Sequence, residues 1–134
     1  MTVTAVRLDD EQGSSPVEFV LVGTLLTLLT LGVMQLALVV YVRNVVHDAA
    51  VEGAYHAALA DTTLEQGVQR AEHAIDRAIG ETYSEGVTVR SDASLGHATV
   101  VVRISTTLPV IGLLGVPHAL DVEAHAPEEA FDDG

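Results

Sequence analysis

The chain has 134 residues and a formal net charge of −13, with six basic residues, all arginine, against nineteen acidic ones. A charge of this sign repels nucleic acid phosphates, so the composition argues against DNA or RNA as a partner. The chain contains no cysteine, which excludes disulfides and thiolate metal sites. Its length allows one small domain and one membrane helix.

A long apolar run dominates the first half of the chain. Between Glu18 and Arg43 lie 24 residues without a charge, and Gln35 is the only amide among them. At 1.5 Å per residue, a helix of this run would be about 36 Å long, which is enough to cross a bilayer with some tilt. The sequence therefore predicts a membrane-spanning helix over residues 19–42.

Glu18 stands at the front edge of this run, where a carboxylate is costly unless it has a partner or a role. One interpretation places it in the headgroup region, where a negative charge suits the N-terminus of a helix. The other comes from the surrounding motif: residues 13–19, GSSPVEF, resemble the G-x-x-x-x-E-F/Y site of type IV pilin-like precursors. The resemblance implies that an aspartyl prepilin peptidase of the membrane cuts after Gly13. Residues 1–13 would then be a leader peptide, and Gly13, Ser14, Glu18 and Phe19 would form the processing site.

The spacing of this motif has a physical rationale. A cut after Gly13 would give Ser14 a cationic α-amine, with Glu18 one helical turn away as its counter-charge. When such subunits stack helix against helix, the carboxylate can instead neutralise the amine of a neighbour. That arrangement would favour one axial register, because two compensated charges in lipid cost far less than two isolated ones.

The helix is predicted to continue beyond the membrane through residues 43–60, so that one helix covers residues 14–60. Its apolar residues recur at a spacing of three to four and include a run of small side chains. These small residues, here called the seam, are Ala49, Ala50, Gly53, Ala54 and Ala57. A seam of this kind lets another helix approach closely. It can pack on the protein's own domain, on another subunit, or on both.

A second block of sequence overlaps this extension. Residues 41–54, YVRNVVHDAAVEGA, are similar to the stretch Y-x-R-x-x-x-x-D-A-A-R-E-G-A of TadE-like proteins, the minor pilins or pseudopilins of tight-adherence (Flp-type) pili. Val51 and Tyr55 stand where the family often has Arg, and Gln12 where a base is common. Pro16 also departs from the pattern, but a proline in the first turn of a helix costs little.

This resemblance implies a location and a set of partners. The protein would be a single-pass subunit of the plasma membrane, with its N-terminus in the cytoplasm and its C-terminal domain outside. Its partners would be a prepilin peptidase, other pilin-like subunits, the pilus assembly machinery and the lipid bilayer. Charge does not fix the orientation independently, because one arginine flanks each side of the run, Arg7 and Arg43.

Residues 61–126 are predicted to form a small α+β domain outside the membrane. A second helix is expected to begin at Asp61 or Thr62, where Thr62 and Glu65 have the spacing of a capping box, and to end at Gly80. Its apolar stripe is Leu64, Val68, Ala71, Ile75, Ala78 and Ile79. About three antiparallel strands follow. They are predicted at Val87–Val89, Ala98–Ser105 and Ala119–Ala126, and residues 127–134 are predicted to be an acidic, loose tail.

The segment Leu108–Pro117 is apolar but far too short to span a membrane, and two prolines and two glycines interrupt it. It is predicted to be a loop over the core, or alternatively a hydrophobic contact surface for the membrane or a partner subunit.

No motif of catalysis appears in the sequence. The six histidines at positions 47, 56, 73, 97, 118 and 125 form no H-x-x-x-H or H-E-x-x-H pattern, and there is no G-x-S-x-G or phosphate loop. We therefore expect no enzyme activity, no cofactor and no metal site. Two functional classes remain: a pilin-like subunit cut after Gly13, or an unprocessed single-pass anchor with a small extracytoplasmic binding domain.

Overall fold

The computed structural model describes residues 13–94, 96–109 and 115–129. Two helices are followed by an antiparallel sheet in the described part of the chain, which confirms the predicted α+β class. In chain order the elements are helix α1 (Ser14–Ala58), helix α2 (Leu64–Ile79), a short 3₁₀ turn (Glu81–Tyr83), and strands β1 (Val87–Asp92), β2 (Thr99–Pro109) and β3 (Gly115–Pro127).

The chain divides into two compact units, Met1–Leu36 and Ala37–Gly134, and α1 contributes residues to both. In the described part of the first unit, large apolar side chains point to the outside, with Phe19 80% and Leu21 67% exposed. By length and composition α1 is a candidate membrane span. A helix segment that exposes apolar side chains all round is typical of a membrane segment.

The threonine hydroxyl groups within the apolar run form hydrogen bonds inside the helix itself. Thr24, Thr27 and Thr30 each donate a hydrogen bond of 2.8 Å to the carbonyl four residues earlier. Bonding of this kind satisfies the threonine hydroxyl donors, which would be costly to leave unsatisfied in an apolar solvent. The three threonines are therefore compatible with burial in lipid.

In the second unit, α2 packs antiparallel against the last turns of α1. The two helices approach at a pair of glycines: a Cβ built on Gly53 would lie 2.8 Å from the carbonyl oxygen of Gly67 and 2.9 Å from Cβ of Ala71. On the exposed side of the same contact, Arg70 Nε donates to Glu52 Oε1 at 2.7 Å. The glycines thus allow a backbone-to-backbone contact that any larger residue would prevent.

The start of α2 corrects the predicted capping box. The N-cap is Thr63 and its partner is Gln66: Gln66 N donates to Thr63 Oγ1 at 3.2 Å, and Thr63 N donates to Gln66 Oε1 at 2.8 Å. Thr62 instead forms hydrogen bonds at the C-terminal end of α1: its hydroxyl donates to the carbonyl oxygens of His56 and Leu59 at 2.5 and 2.9 Å. The buried face of α2 is also rotated from the predicted stripe, since Gly67, Ala71 and Ile75 are buried while Leu64 and Ala78 are exposed.

The sheet has the order β1-β2-β3, and both strand pairs are antiparallel. Alternate residues of β2 and β3 point toward the helices, as the period of two in a pleated strand requires. Together with the second half of α1 and with α2, they form one hydrophobic core. Its buried members are Val42, Val46, Ala49, Ala50, Ala54, Ala57, Ala58, Ala71, Ile75, Val100, Val102, Ile104, Leu120, Val122, Ala124 and Ala126.

All three strands extend further than the sequence predicts. Pro127, assigned above to the tail, is the last residue of β3 and is paired with Thr99. The predicted loop Leu108–Pro117 is wrong at both ends, because Leu108 pairs with Val116 and Pro109 with Gly115 in the β2–β3 hairpin. The register shifts between Thr106 and Leu108, opposite a bulge in β3 where His118 has a φ of 57°.

Three predicted features lie outside the described residues. They are the leader up to residue 12, the centre of the apolar segment at residues 110–114, and the tail from residue 130 onward. The first predicted helix is found from Ser14 to Ala58, two residues shorter at its C-terminal end than the predicted range.

Candidate functional site

The predicted cleavage point lies where a turn meets a helix. Gly13 is in a turn and is exposed, and α1 begins at the next residue, Ser14. A Cβ built on Gly13 would meet no atom within 4 Å. The peptide bond between Gly13 and Ser14 is therefore not covered by any described part of the chain.

Glu18 is directed back toward the start of α1. Ser14 Oγ donates a hydrogen bond to Glu18 Oε1 at 3.0 Å, over the four-residue spacing that brings side chains together on one helix face. The carboxylate thus lies next to the residue that would carry the new amine after cleavage.

Phe19, the fourth residue of the predicted processing site, is 80% exposed. The apolar side chains that follow it along α1 are exposed as well, from Val20 at 65% to Leu36 at 64%. The four processing residues therefore lie together at the exposed start of a long apolar helix, as their positions in the sequence require.

The structure places all five residues of the seam inside the second unit. Ala49, Ala50, Gly53, Ala54 and Ala57 are buried, and Gly53 and Ala57 meet α2 at Gly67 and Ala71. Within a single chain these residues hold the helix to its own domain. Contact of the seam with another subunit stays a prediction.

Sequence reasoning missed Gly67, which is the partner of Gly53 in the helix contact. A Cβ on Gly67 would collide with Cβ of Ala57 and would lie 2.8 Å from the carbonyl oxygen of Gly53. A glycine inside a helix costs about 1 kcal/mol relative to alanine, so its presence usually has a packing reason. The sequence shows this glycine inside the predicted second helix, and that observation alone indicates a packing contact at Gly67.

The outer face of the sheet carries charges that pair with one another across strands. Arg103 binds both carboxylate oxygens of Asp121, at 3.1 and 2.6 Å, and this hydrogen bonding lowers the pKa of Asp121. Arg90 lies 3.3 Å from Glu123. These groups are at least one-third exposed, so they form a solvated face whose charges are already paired.

The histidines are dispersed over the described surface. His56 is half-buried and the other five are exposed. Among residues 13–94, 96–109 and 115–129, no three histidine, aspartate or glutamate side chains form a group suited to a metal ion.

Comparison with known proteins supports the class suggested by the two motifs. Residues 13–54 match the model of the family described as TadE-like protein. This segment of the chain is therefore TadE-like, and the resemblance stated above is confirmed over it. The match supports a protein related to the Tad pilus, and the candidate membrane span of α1 is consistent with a membrane anchor. The searches of curated proteins and of solved structures find no match.

Proposed function

We propose that this protein is a pilin-related membrane subunit that a prepilin peptidase cuts after Gly13, and that it takes part in assembling or priming a tight-adherence (Flp-type) pilus. In this proposal it sits in the plasma membrane with residues 1–13 in the cytoplasm and the second unit outside. It is a structural subunit and carries out no catalysis. Its partners are the peptidase, other pilin-like subunits and the assembly machinery.

One contact carries the proposal. The hydrogen bond from Ser14 Oγ to Glu18 Oε1, 3.0 Å long, keeps the carboxylate beside the residue whose amine cleavage would release. A carboxylate so close to a new ammonium group would form a compensated pair, which lipid tolerates far better than either charge alone. In an assembly, the same carboxylate can bind the amine of an adjacent subunit.

The exposed apolar face of α1 supports the proposal that the protein assembles with other pilin-like subunits. The seam is buried within the second unit, so contacts between subunits are proposed to use the exposed part of α1 between Val17 and Tyr41. There, packing of side chains against a neighbouring helix can replace packing against lipid. The glycines Gly23 and Gly32, which have open space around them, lie on this part of the helix.

The first test is the N-terminus of the protein isolated from its native membrane. Intact mass and N-terminal sequencing should find a chain that begins at Ser14. Gly13→Val should accumulate uncut, because a β-branched side chain would occupy the position that the peptidase requires to be small. Gly23→Val, a change of the same size within α1, is the matched control and should be cut normally.

Glu18→Gln separates processing from assembly. The amide keeps the shape of the carboxylate but cannot neutralise an amine, so the chain should still start at Ser14 and should no longer be recovered with other pilin-like subunits. A wild-type chain that retains residues 1–13 in cells with an active prepilin peptidase would refute the proposal and leave an unprocessed anchor with a small binding domain.

A further inference from the structure

A groove of about 330 Å³ lies in the second unit, where the end of α1 meets the end of β3. The α1 residues Tyr55 and Leu59 line it, together with Pro127 and Glu129. Tyr55 and Leu59 are four residues apart, so they share one helix face. Their exposed fractions are 61% and 40%. The groove therefore contains apolar surface that the described residues leave open to solvent.

The backbone that follows β3 is held beside this groove. Glu128 N donates to the carbonyl oxygen of Ala98, and Glu129 N donates to that of Ala58, both at 2.9 Å. Ala58 is the last residue of α1, and its carbonyl is one of those that a helix end leaves without an intrahelical partner. The second bond thus fixes Glu129 against the end of α1. The chain after Glu129 starts at the groove.

Phe131 comes two residues after this fixed point. It belongs to the segment 130–134, AFDDG, which lies outside the described residues. Two residues of extended chain span at most about 7 Å. The Cα atom of Phe131 is therefore no further than this from the Cα atom of Glu129, and its aromatic side chain is within reach of the groove.

The size and lining of the groove suit one aromatic side chain. Its volume of about 330 Å³ is near the lower end of the range for small-molecule pockets, about 300–1,000 Å³. A phenylalanine placed in it would lose contact with water and could pack on the ring of Tyr55, a contact that adds to the gain from burial. Because Glu129 is already fixed, few further residues would have to be ordered.

Charges at the rim of the groove have opposing effects on this segment. Arg70 lines the groove, binds Glu52 at 2.7 Å and keeps half of its side chain exposed, so it can attract Asp132 and Asp133. Glu52 and Glu129 line the same groove and repel them. Apolar contact at Phe131, and not net attraction of charge, is therefore the main force that would hold the segment.

We propose that residues 130–134 fold back onto the groove and place Phe131 against Tyr55 and Leu59. In place of the loose tail that the sequence predicts, the segment is a strap that covers this apolar surface and holds the end of β3 to the end of α1. The contacts that support this inference lie within the second unit. It goes beyond the proposed function and depends neither on cleavage after Gly13 nor on α1 spanning a membrane.

The test uses tryptophan fluorescence on the full chain in detergent. The protein contains no tryptophan, so Phe131→Trp introduces a single indole. His97→Trp, at an exposed position, is the reference for an indole in water. Two variants are made in the Phe131→Trp background. Leu59→Asn alters the groove, and Leu64→Asn is the matched control, because Leu64 is 37% exposed and is not among the described residues that line the groove.

Acrylamide should quench the indole of Phe131→Trp several times less strongly than that of His97→Trp. Leu59→Asn should remove most of this protection, and Leu64→Asn should leave it unchanged. Equal quenching of Phe131→Trp and His97→Trp overturns the inference, because the segment is then not docked. Protection that survives Leu59→Asn identifies detergent or another surface as the cover. Protection that is lost on dilution at constant detergent identifies a second chain, and either result also overturns the inference.

Discussion

At the scale of single residues, the backbones of α1 and α2 come into contact at Gly53 and Gly67. Gly67→Ala should destabilise the second unit, because the added methyl group would collide with Ala57 and force α1 and α2 apart. Overpacking of this kind costs about 1–3 kcal/mol, which exceeds the gain of up to about 1 kcal/mol from the higher helix propensity of alanine. Thermal unfolding of the detergent-solubilised chain measures the difference.

Gly23→Ala is the matched control for this prediction. A Cβ at Gly23 meets no atom within 4 Å, so only the propensity gain applies and the melting temperature should not fall. If Gly67→Ala melts at the same temperature as the parent protein, the two helices are not in backbone contact at this point.

The ion pair on the outer face of the sheet makes a prediction about pH. Hydrogen bonding to Arg103 lowers the pKa of Asp121 from its ordinary value near 3.8. A carboxylate whose pKa is lowered by folding stabilises the folded state above the unfolded pKa, and this contribution is lost as the pH falls through the folded pKa. Asp121→Asn should therefore lower the melting temperature slightly at pH 7, and this difference should disappear once the pH is below the lowered folded-state pKa of Asp121.

Asp48→Asn, at an exposed position of α1, is the control for general effects of charge on an acidic protein. If the two variants show the same pH dependence of the melting temperature, the bond between Arg103 and Asp121 does not contribute to the stability of the folded state. The expected effect is small, because both side chains of the pair are at least half exposed.

At the scale of secondary-structure elements, the start of α2 gives a prediction that distinguishes two capping registers. Thr63→Ala removes the side chain that accepts from Gln66 N and should cost about 1 kcal/mol of stability. Gln66→Ala should also destabilise, since its side chain accepts from the Thr63 backbone. Glu65→Ala should have a smaller effect, of a few tenths of a kcal/mol from the helix dipole. Chemical denaturation gives the free energy of unfolding of the three variants. If Glu65→Ala lowered it most, the capping box between Thr63 and Gln66 would be contradicted.

The same region shows why the sequence predicts an element more reliably than its boundary. The doublet Thr62-Thr63 followed by Glu65-Gln66 offers two capping boxes one residue apart, and local sequence does not choose between them. The choice follows from Thr62, whose hydroxyl bonds the carbonyl oxygens of His56 and Leu59 at the end of α1. That bond depends on how the loop between the helices folds.

Contacts between distant residues account for the other differences from prediction. The prolines and glycines of Leu108–Pro117 indicate a loop, yet Leu108 and Val116 pair because the hairpin register carries both strands further. By contrast, the residues of the predicted processing site lie at the start of α1 and those of the seam lie within α1, so their relative positions can be predicted from helical spacing alone. Gly67 could be predicted only in part. A glycine inside a predicted helix indicates a packing contact, but the sequence does not identify Gly53 as the residue that it contacts.

At the scale of the whole molecule, the hydrophobic core lies entirely within the second unit. Its buried members run from Val42 to Ala126, and the described part of the first unit contributes none. A fragment of residues 37–134 should therefore fold without the apolar run, with helix and strand signals in circular dichroism and a cooperative thermal transition. A fragment that starts at residue 50 is the control, because it lacks Val42, Val46 and Ala49 of the core and should unfold at a lower temperature or not fold at all.

The position of β3 has a consequence for biosynthesis. Leu120, Val122, Ala124 and Ala126 of this last strand complete the core that covers the end of α1. At about 5–20 residues per second, roughly 3 to 14 s separate the synthesis of Ala58 from that of Ala126. Until β3 is made, the sheet that covers the inner face of α1 is incomplete, while the N-terminal half of α1 is already available to the membrane. Because that face consists mainly of alanine and glycine, the nascent helix offers little apolar area to wrong partners until its own sheet arrives.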